Sequence, residues 1–331
     1  MSALRPPSPA PGTRAGRFSR VDVVLLLVAV VWGSSYLAAQ RSVGDLGVAA
    51  TLALRSGGAA LVLGLVVVAR RRAVRGRDVL LGLVFGLTQT AVLALETQGV
   101  ATTTATSAGL LISTTVLLTP LVEGAFTRRL LPPAFFAAGV VVLAGVALLV
   151  GRGGLGRPAV GDLLVLAAAV VRAVHVTCLG RATRGRAVDL VVLSTAQAAT
   201  GAVAVTLLAP GAVLAGVRAA GPEQWLLVAH LAVGCTAFAF LAQSWALARA
   251  SAARTSLLLG TEPLWAVLFG LVVAGEHLGA VGALGAVLVV AGAAWGQRVE
   301  RLAHDATGPG EKVLGGGPPP QPAASAAGST A

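Results

Sequence analysis

VVWGSSYLAAQR (residues 30–41) returns as VVRAVHVTCLGR (residues 170–181), and TATSAGLLIS (residues 104–113) returns as SAARTSLLLG (residues 251–260). The first pair is offset by 140 residues and the second by 147, and the larger offset also sets Leu131 on Leu278 and Gly145 on Gly292. Internal repetition of this length constrains the architecture before any single motif does. Each copy holds five apolar runs that meet or approach the length needed to cross a hydrocarbon core of roughly 30 Å, so ten crossings are expected. Because five is odd, the second copy enters the membrane in the opposite sense to the first. Such inverted repeats meet near the bilayer midplane.

Composition points the same way. Of 331 residues, 56% are hydrophobic and 11% charged, with a mean hydropathy of +0.85, against about 25% charged in a soluble domain. There is too little polar surface to face water. The 42 glycines suit helices packed closely in lipid, and Gly64, Gly139, Gly145, Gly285 and Gly292 are expected at such contacts. The fold class is therefore an all-α polytopic membrane protein, with ten transmembrane helices as two inverted five-helix repeats. The expected units are a disordered cytoplasmic N-terminus (1–20), a first repeat (21–151), an extracytoplasmic linker (152–160), a second repeat (161–296) and a disordered cytoplasmic tail (297–331). The first apolar run follows Arg14, Arg17 and Arg20 but exceeds the 7–15 residues of a signal-peptide core, so it reads as an uncleaved helix.

A net charge of +12 does not imply nucleic acid here, because the basic residues lie in short clusters between apolar runs. With the N-terminus inside, one side holds the cluster Arg70, Arg71, Arg72, Arg75 and Arg77, with Arg128, Arg129, Arg181, Arg184 and Arg186. The other holds Arg41, Arg152, Arg157 and Arg218. This asymmetry follows the positive-inside rule and puts both termini in the cytoplasm of a cell (inner) membrane protein. The two cysteines, Cys178 and Cys235, lie in apolar runs without CxxC spacing and indicate neither a disulfide framework nor a zinc site.

Four stretches carry a family resemblance: VVWGSSYLAAQ on the first helix, LETQGVATTTATSAGLL (residues 95–111), AQSWALARASAARTSLLLGTEPLWAVLFG (residues 242–270) and AGEHLGAVGALGAVLVVAG (residues 274–292). Together they resemble the two EamA-type units of the drug/metabolite transporter superfamily. The resemblance implies a ten-helix inner-membrane carrier, commonly an exporter of amino acids, other metabolites or toxic compounds. The copies differ where Arg129 matches Glu276 and where Trp32 matches Arg172.

A charge inside a bilayer costs about 2.5–3.5 kcal/mol on insertion scales, which makes intramembrane ionisable groups functional candidates. Arg172 and His175 are expected to form one wall of a mid-membrane pocket and Trp32 and Tyr36 the other, offering cationic donors to an anionic group and aromatic faces to the remainder. Alternatively Arg172 forms a structural ion pair with Glu262, and His175 serves as an interhelical hydrogen-bonding group. Glu96, whose repeat mate is Gln243, either carries a coupling proton or neutralises Arg55. Gln89 would extend the polar lining on the face of Glu96. Pro263 and Pro120 interrupt the ninth and fourth helices, as gating hinges or as packing kinks. Glu276 and His277 are expected in solvated interfacial roles. The candidate substrate-binding residues are thus Trp32, Tyr36, Gln89, Glu96, Arg172, His175, Gln243 and Glu262, with Arg55, Pro120 and Pro263 structural or gating.

No catalytic residue, metal or cofactor is expected: the four histidines fall on different elements, and the glycine-rich GRGGLG (residues 151–156) lacks the strand and helix of a nucleotide-binding turn. The expected partners are a small-molecule substrate, the lipid bilayer and a proton as coupling ion, with a second copy of the chain as a further candidate. The alternatives are a membrane-embedded lipid-modifying enzyme, which would need paired acidic or histidine residues at one interface, and a channel, which would need a continuous polar stripe.

Overall fold

The computed structural model describes residues 20–127, 131–150, 159–183, 186–247 and 258–306. Among these, every regular element is helical: α1 Arg20–Ala69, α2 Gly76–Val100, α3 Ala105–Ile112, α4 Thr115–Thr127, α5 Pro133–Val150, α6 Val160–Thr183, α7 Leu190–Leu208, α8 Pro210–Ala219, α9 Pro222–Ala229, a π-helical segment His230–Phe238, α10 Ala239–Leu247, α11 Glu262–Val272 and α12 Ala280–Ala306. Seven stretches among the described residues are long and apolar enough to cross a membrane, and Pro133–Leu148 and Glu262–Val272 are shorter apolar helices.

At 1.5 Å per residue, the 50 residues of α1 extend about 75 Å, more than twice the hydrocarbon thickness. Gly47 divides the helix with φ 75 and ψ 164, a backbone conformation open essentially to glycine alone. The link expected between the first two apolar runs is therefore helical up to this residue, and the change of direction is confined to one position.

The helix breaks follow the repeat more closely than the prolines do. The turn at Ser113–Thr114 separates α3 from α4, and the turn at Gly260–Thr261 precedes α11; these positions are 147 residues apart. In each the threonine hydroxyl donates to the carbonyl three residues back, Thr114 to Leu111 and Thr261 to Leu258, both at 2.7 Å. The backbone N–H groups of the same threonines donate to the same carbonyls at 3.2 Å in both copies. A side-chain hydroxyl thus shares the carbonyl with the backbone at each break. Pro120 lies inside α4, beyond this break, and Pro263 occupies the first turn of α11, where a missing N–H costs nothing. The interruption expected at Pro120 is corrected accordingly, whereas Pro263 stands directly after the second break.

The two halves interleave. α1 packs on α7, the π segment and α11; α2 packs on α6 and α7; α3 packs on α11, α4 on α6 and α5 on α12. One apolar cluster, including Tyr36, Leu110, Leu111, Phe135, Val165, Leu231 and Val289, runs through both. A Cβ on Gly145 would meet Gly285 O and Val289 N at 2.7 Å, and one on Gly292 would meet Val142 Cγ2 at 2.7 Å, so α5 and α12 touch backbone to backbone as expected. Gly139 has nothing within 4 Å and Gly64 has only Thr195 Cγ2 at 3.8 Å; these two are not close contacts.

Glu276 is not merely solvated. Gly275 (φ 67) turns the chain after α11, and the Glu276 carboxylate accepts the N–H groups of Ala105 (2.7 Å) and Thr106 (3.0 Å) at the start of α3. An anion there satisfies two of the orphan donors and meets the positive end of the helix dipole. Loss of a helix cap costs about 0.5–2 kcal/mol. Glu276→Ala is expected to lower the thermal midpoint of the detergent-purified protein, with Glu276→Gln, which keeps one acceptor, falling between it and wild type. Equal midpoints for all three would remove the capping role.

Candidate functional site

A cavity opens between α1, α2, α6, α7, the π segment and the starts of α10 and α11. Seven of the residues singled out from the sequence line it: Trp32, Tyr36, Arg55, Gln89, Glu96, Arg172 and Glu262. They come from both repeats. Arg172 and Glu262 also line a second cavity of about 590 Å³, with Pro263 and both helix breaks, and so stand on the partition between the two.

Each side chain is held by its own element. Trp32, on the first half of α1, donates its indole N–H to Cys235 O at 2.8 Å and meets the Phe240 ring edge-on at 6.4 Å. One turn on, Tyr36 donates its hydroxyl to Glu262 Oε1 at 2.6 Å. Glu262 opens α11 immediately after the Thr261 turn, so its carboxylate sits at a helix N-terminus in the middle of the fold. Arg55, on the second half of α1, donates from Nε to Thr236 Oγ1 at 3.2 Å, and that hydroxyl donates to Leu231 O at 2.9 Å. The latter bond reaches back five residues, the spacing of the π segment, whose repeat mate in α2 is ordinary α-helix. Wide-pitch turns of this kind recur at functional sites.

The lining carries two guanidinium groups, Arg55 and Arg172, and two carboxylates, Glu96 and Glu262. Among the described residues the direct ion pair is Arg72–Asp189 at 2.7 Å, outside this cavity. Arg172 makes no N···O approach within 4.0 Å to Glu262, nor does Arg55 to Glu96, so neither of the structural ion pairs weighed from the sequence has direct contact. Arg172 instead lies among Glu262, Tyr36 and Glu96 as electrostatic neighbours. Opposite charges held around one space without touching can each bind a complementary group of a ligand.

His175 is not among the lining residues. Its Nδ1 lies 2.6 Å from Thr88 Oγ1, and its ring meets Phe85 edge-on at 5.8 Å. A separation of three residues turns a side chain about 60° around a helix of 3.6 residues per turn, which directs His175 to α2. The wall of Arg172 with His175 does not form. The side chain of Gln243 lies outside the described residues. Sequence reading missed the contribution of α7, where Ser194, Gln197 and Gly201 line the cavity at spacings of three and four, and where buried Gln197 Nε2 has no hydrogen-bond partner among the described residues. The available signal was Gln197, the one amide side chain on α7.

The family comparison gives two tandem matches: the model of the EamA-like transporter family aligns with residues 19–151 and again with residues 159–295. No curated protein matches this sequence. A solved structure, described as the crystal structure of a protein, aligns with 86% of this chain and 98% of its own at a TM-score of 0.61 and 24% identity, which shows a shared fold.

Proposed function

We infer, from the premise that this chain belongs to the EamA-like transporter family, that it is a secondary carrier which moves a small amphoteric metabolite by alternating access. It is a multi-pass membrane protein. In the proposed topology α1 crosses twice, α3 with α4 once and α9 through α10 once. With α5, α11 preceded by residues 258–261, and the remaining long helices, this makes ten crossings, with both termini cytoplasmic in the cell membrane. The repeat units are those expected from the sequence, 21–151 and 161–296.

The observation that carries the reading is the set of separated charges shared by both repeats in one cavity. An anionic group would take guanidinium N–H donors from Arg172, an ammonium group would sit between Glu96 and Glu262, and the apolar remainder would lie on Trp32 and Phe240. Amino acids and similar zwitterions fit this pattern; export is the proposed direction. Glu96 is the proposed site of the coupling proton. A channel would need a continuous polar path, whereas here Arg172 and Glu262 partition two cavities.

The test is counterflow in proteoliposomes loaded with an unlabelled mixture of neutral amino acids. Saturable accumulation of labelled amino acid, accelerated by an imposed pH gradient, is expected. Flux that rises linearly with concentration and ignores the trapped pool would refute a carrier.

A further inference from the structure

Two arginines of the cluster Arg70, Arg71, Arg72, Arg75 and Arg77, which the transport site leaves unused, line an open groove with Asp189, Leu190 and Val191 at the start of α7 and Leu241 and Trp245 of α10: they are Arg72 and Arg75. The groove lies where α1 ends and α2 and α7 begin, beside α10. Two of its arginines are already oriented. Arg72 donates to Asp189 Oδ2 at 2.7 Å and Arg75 to Ala187 O at 3.2 Å. Asp189 is itself fixed as the cap of α7, accepting from Val191 N–H at 2.9 Å, while its own N–H donates to Asp78 at 3.2 Å. Each guanidinium has five donors, so both retain N–H groups for a further acceptor. One carboxylate faces two guanidinium groups in the groove, and Arg70, Arg71 and Arg77, exposed in the same stretch of chain, add positive charge.

Arg71 sharpens the picture. The end of α1 closes through Arg71 N–H to Val68 O and Arg72 N–H to Val67 O, each at 3.0 Å, a helix stop whose left-handed residue is usually glycine. Here that residue is Arg71, at φ 46. A charged side chain is kept where glycine would relieve the backbone, an outlier of the kind found at functional sites.

We propose that this groove binds the phosphate headgroup of an anionic phospholipid from the surrounding membrane, bridging the two repeats. Guanidinium groups bind phosphate through paired N–H donors. The half-exposed Leu190 and Trp245 with Leu241 and Val191 supply an apolar wall for the acyl chains and an interfacial indole. That wall selects a lipid over a free anion.

The experiment reads quenching of Trp245 fluorescence in nanodiscs of the full chain, with Trp245→Phe defining its share of the signal. Brominated phosphatidylglycerol is expected to quench Trp245 in preference to brominated phosphatidylcholine. Replacing both arginines (Arg72→Gln with Arg75→Gln) is expected to reduce that preference roughly thirtyfold, from the contribution of two juxtamembrane arginines. Equal quenching by the two lipids in wild type would overturn the proposal without recourse to a variant, as would a preference that survives the double substitution. Abolition of the preference by excess inorganic phosphate would instead show a soluble-anion site and equally overturn the lipid assignment.

Discussion

Arg172→Ala will lower saturable uptake about 10- to 150-fold, the loss expected when hydrogen bonds to a charged ligand group are removed, while membrane abundance stays nearly unchanged. The two halves of this expectation have separate origins. Arg172 lies on the partition between the two cavities, so its removal takes away a cation that a ligand would meet from either side. Glu262, meanwhile, keeps the hydrogen bond from Tyr36, and no direct ion pair is broken. Uptake in proteoliposomes and the thermal midpoint in detergent should therefore move independently. A parallel fall in uptake and in midpoint would show that Arg172 supports the fold and not the passage of substrate.

A second large effect is expected from a single methyl group. On Gly145 an added Cβ would meet Gly285 O and Val289 N at 2.7 Å, and backbone atoms cannot swing aside as a side chain can. Gly145→Ala should force α5 and α12 apart and cost about 1–3 kcal/mol, the usual range for overpacking, with Gly145→Leu worse. Gly139→Ala, on the same helix with nothing within 4 Å, should leave membrane abundance and thermal midpoint unchanged. If the two alanine variants behave alike, the α5–α12 approach does not limit stability.

Much of the architecture was legible because lipid restricts the choices. A chain this apolar can satisfy its backbone only as helices or as a closed barrel, and the offsets of 140 and 147 exposed the duplication directly. Trp32, Tyr36, Arg172 and Glu262 could be picked out because polar and charged groups are rare among these apolar runs. The same logic failed where a signal was weak or its geometry approximate. Ser194 and Gln197 on α7 are common residues whose importance comes from facing a cavity. His175 was assigned to the face of Arg172 by a spacing of three, yet the 60° difference sends it to Thr88. Proline marks the second break, which directly precedes Pro263, but the first falls ahead of Pro120, and what the two share is a threonine bonded to the preceding turn.

The carboxylate of Glu276 clasps the first amides of α3, and the position matching it in the other copy is Arg129. A guanidinium offers no lone pair to an amide and is repelled by the positive end of a helix dipole. An arginine cannot clasp an amide as Glu276 does, so at this matched pair of positions the two copies carry opposite chemistry.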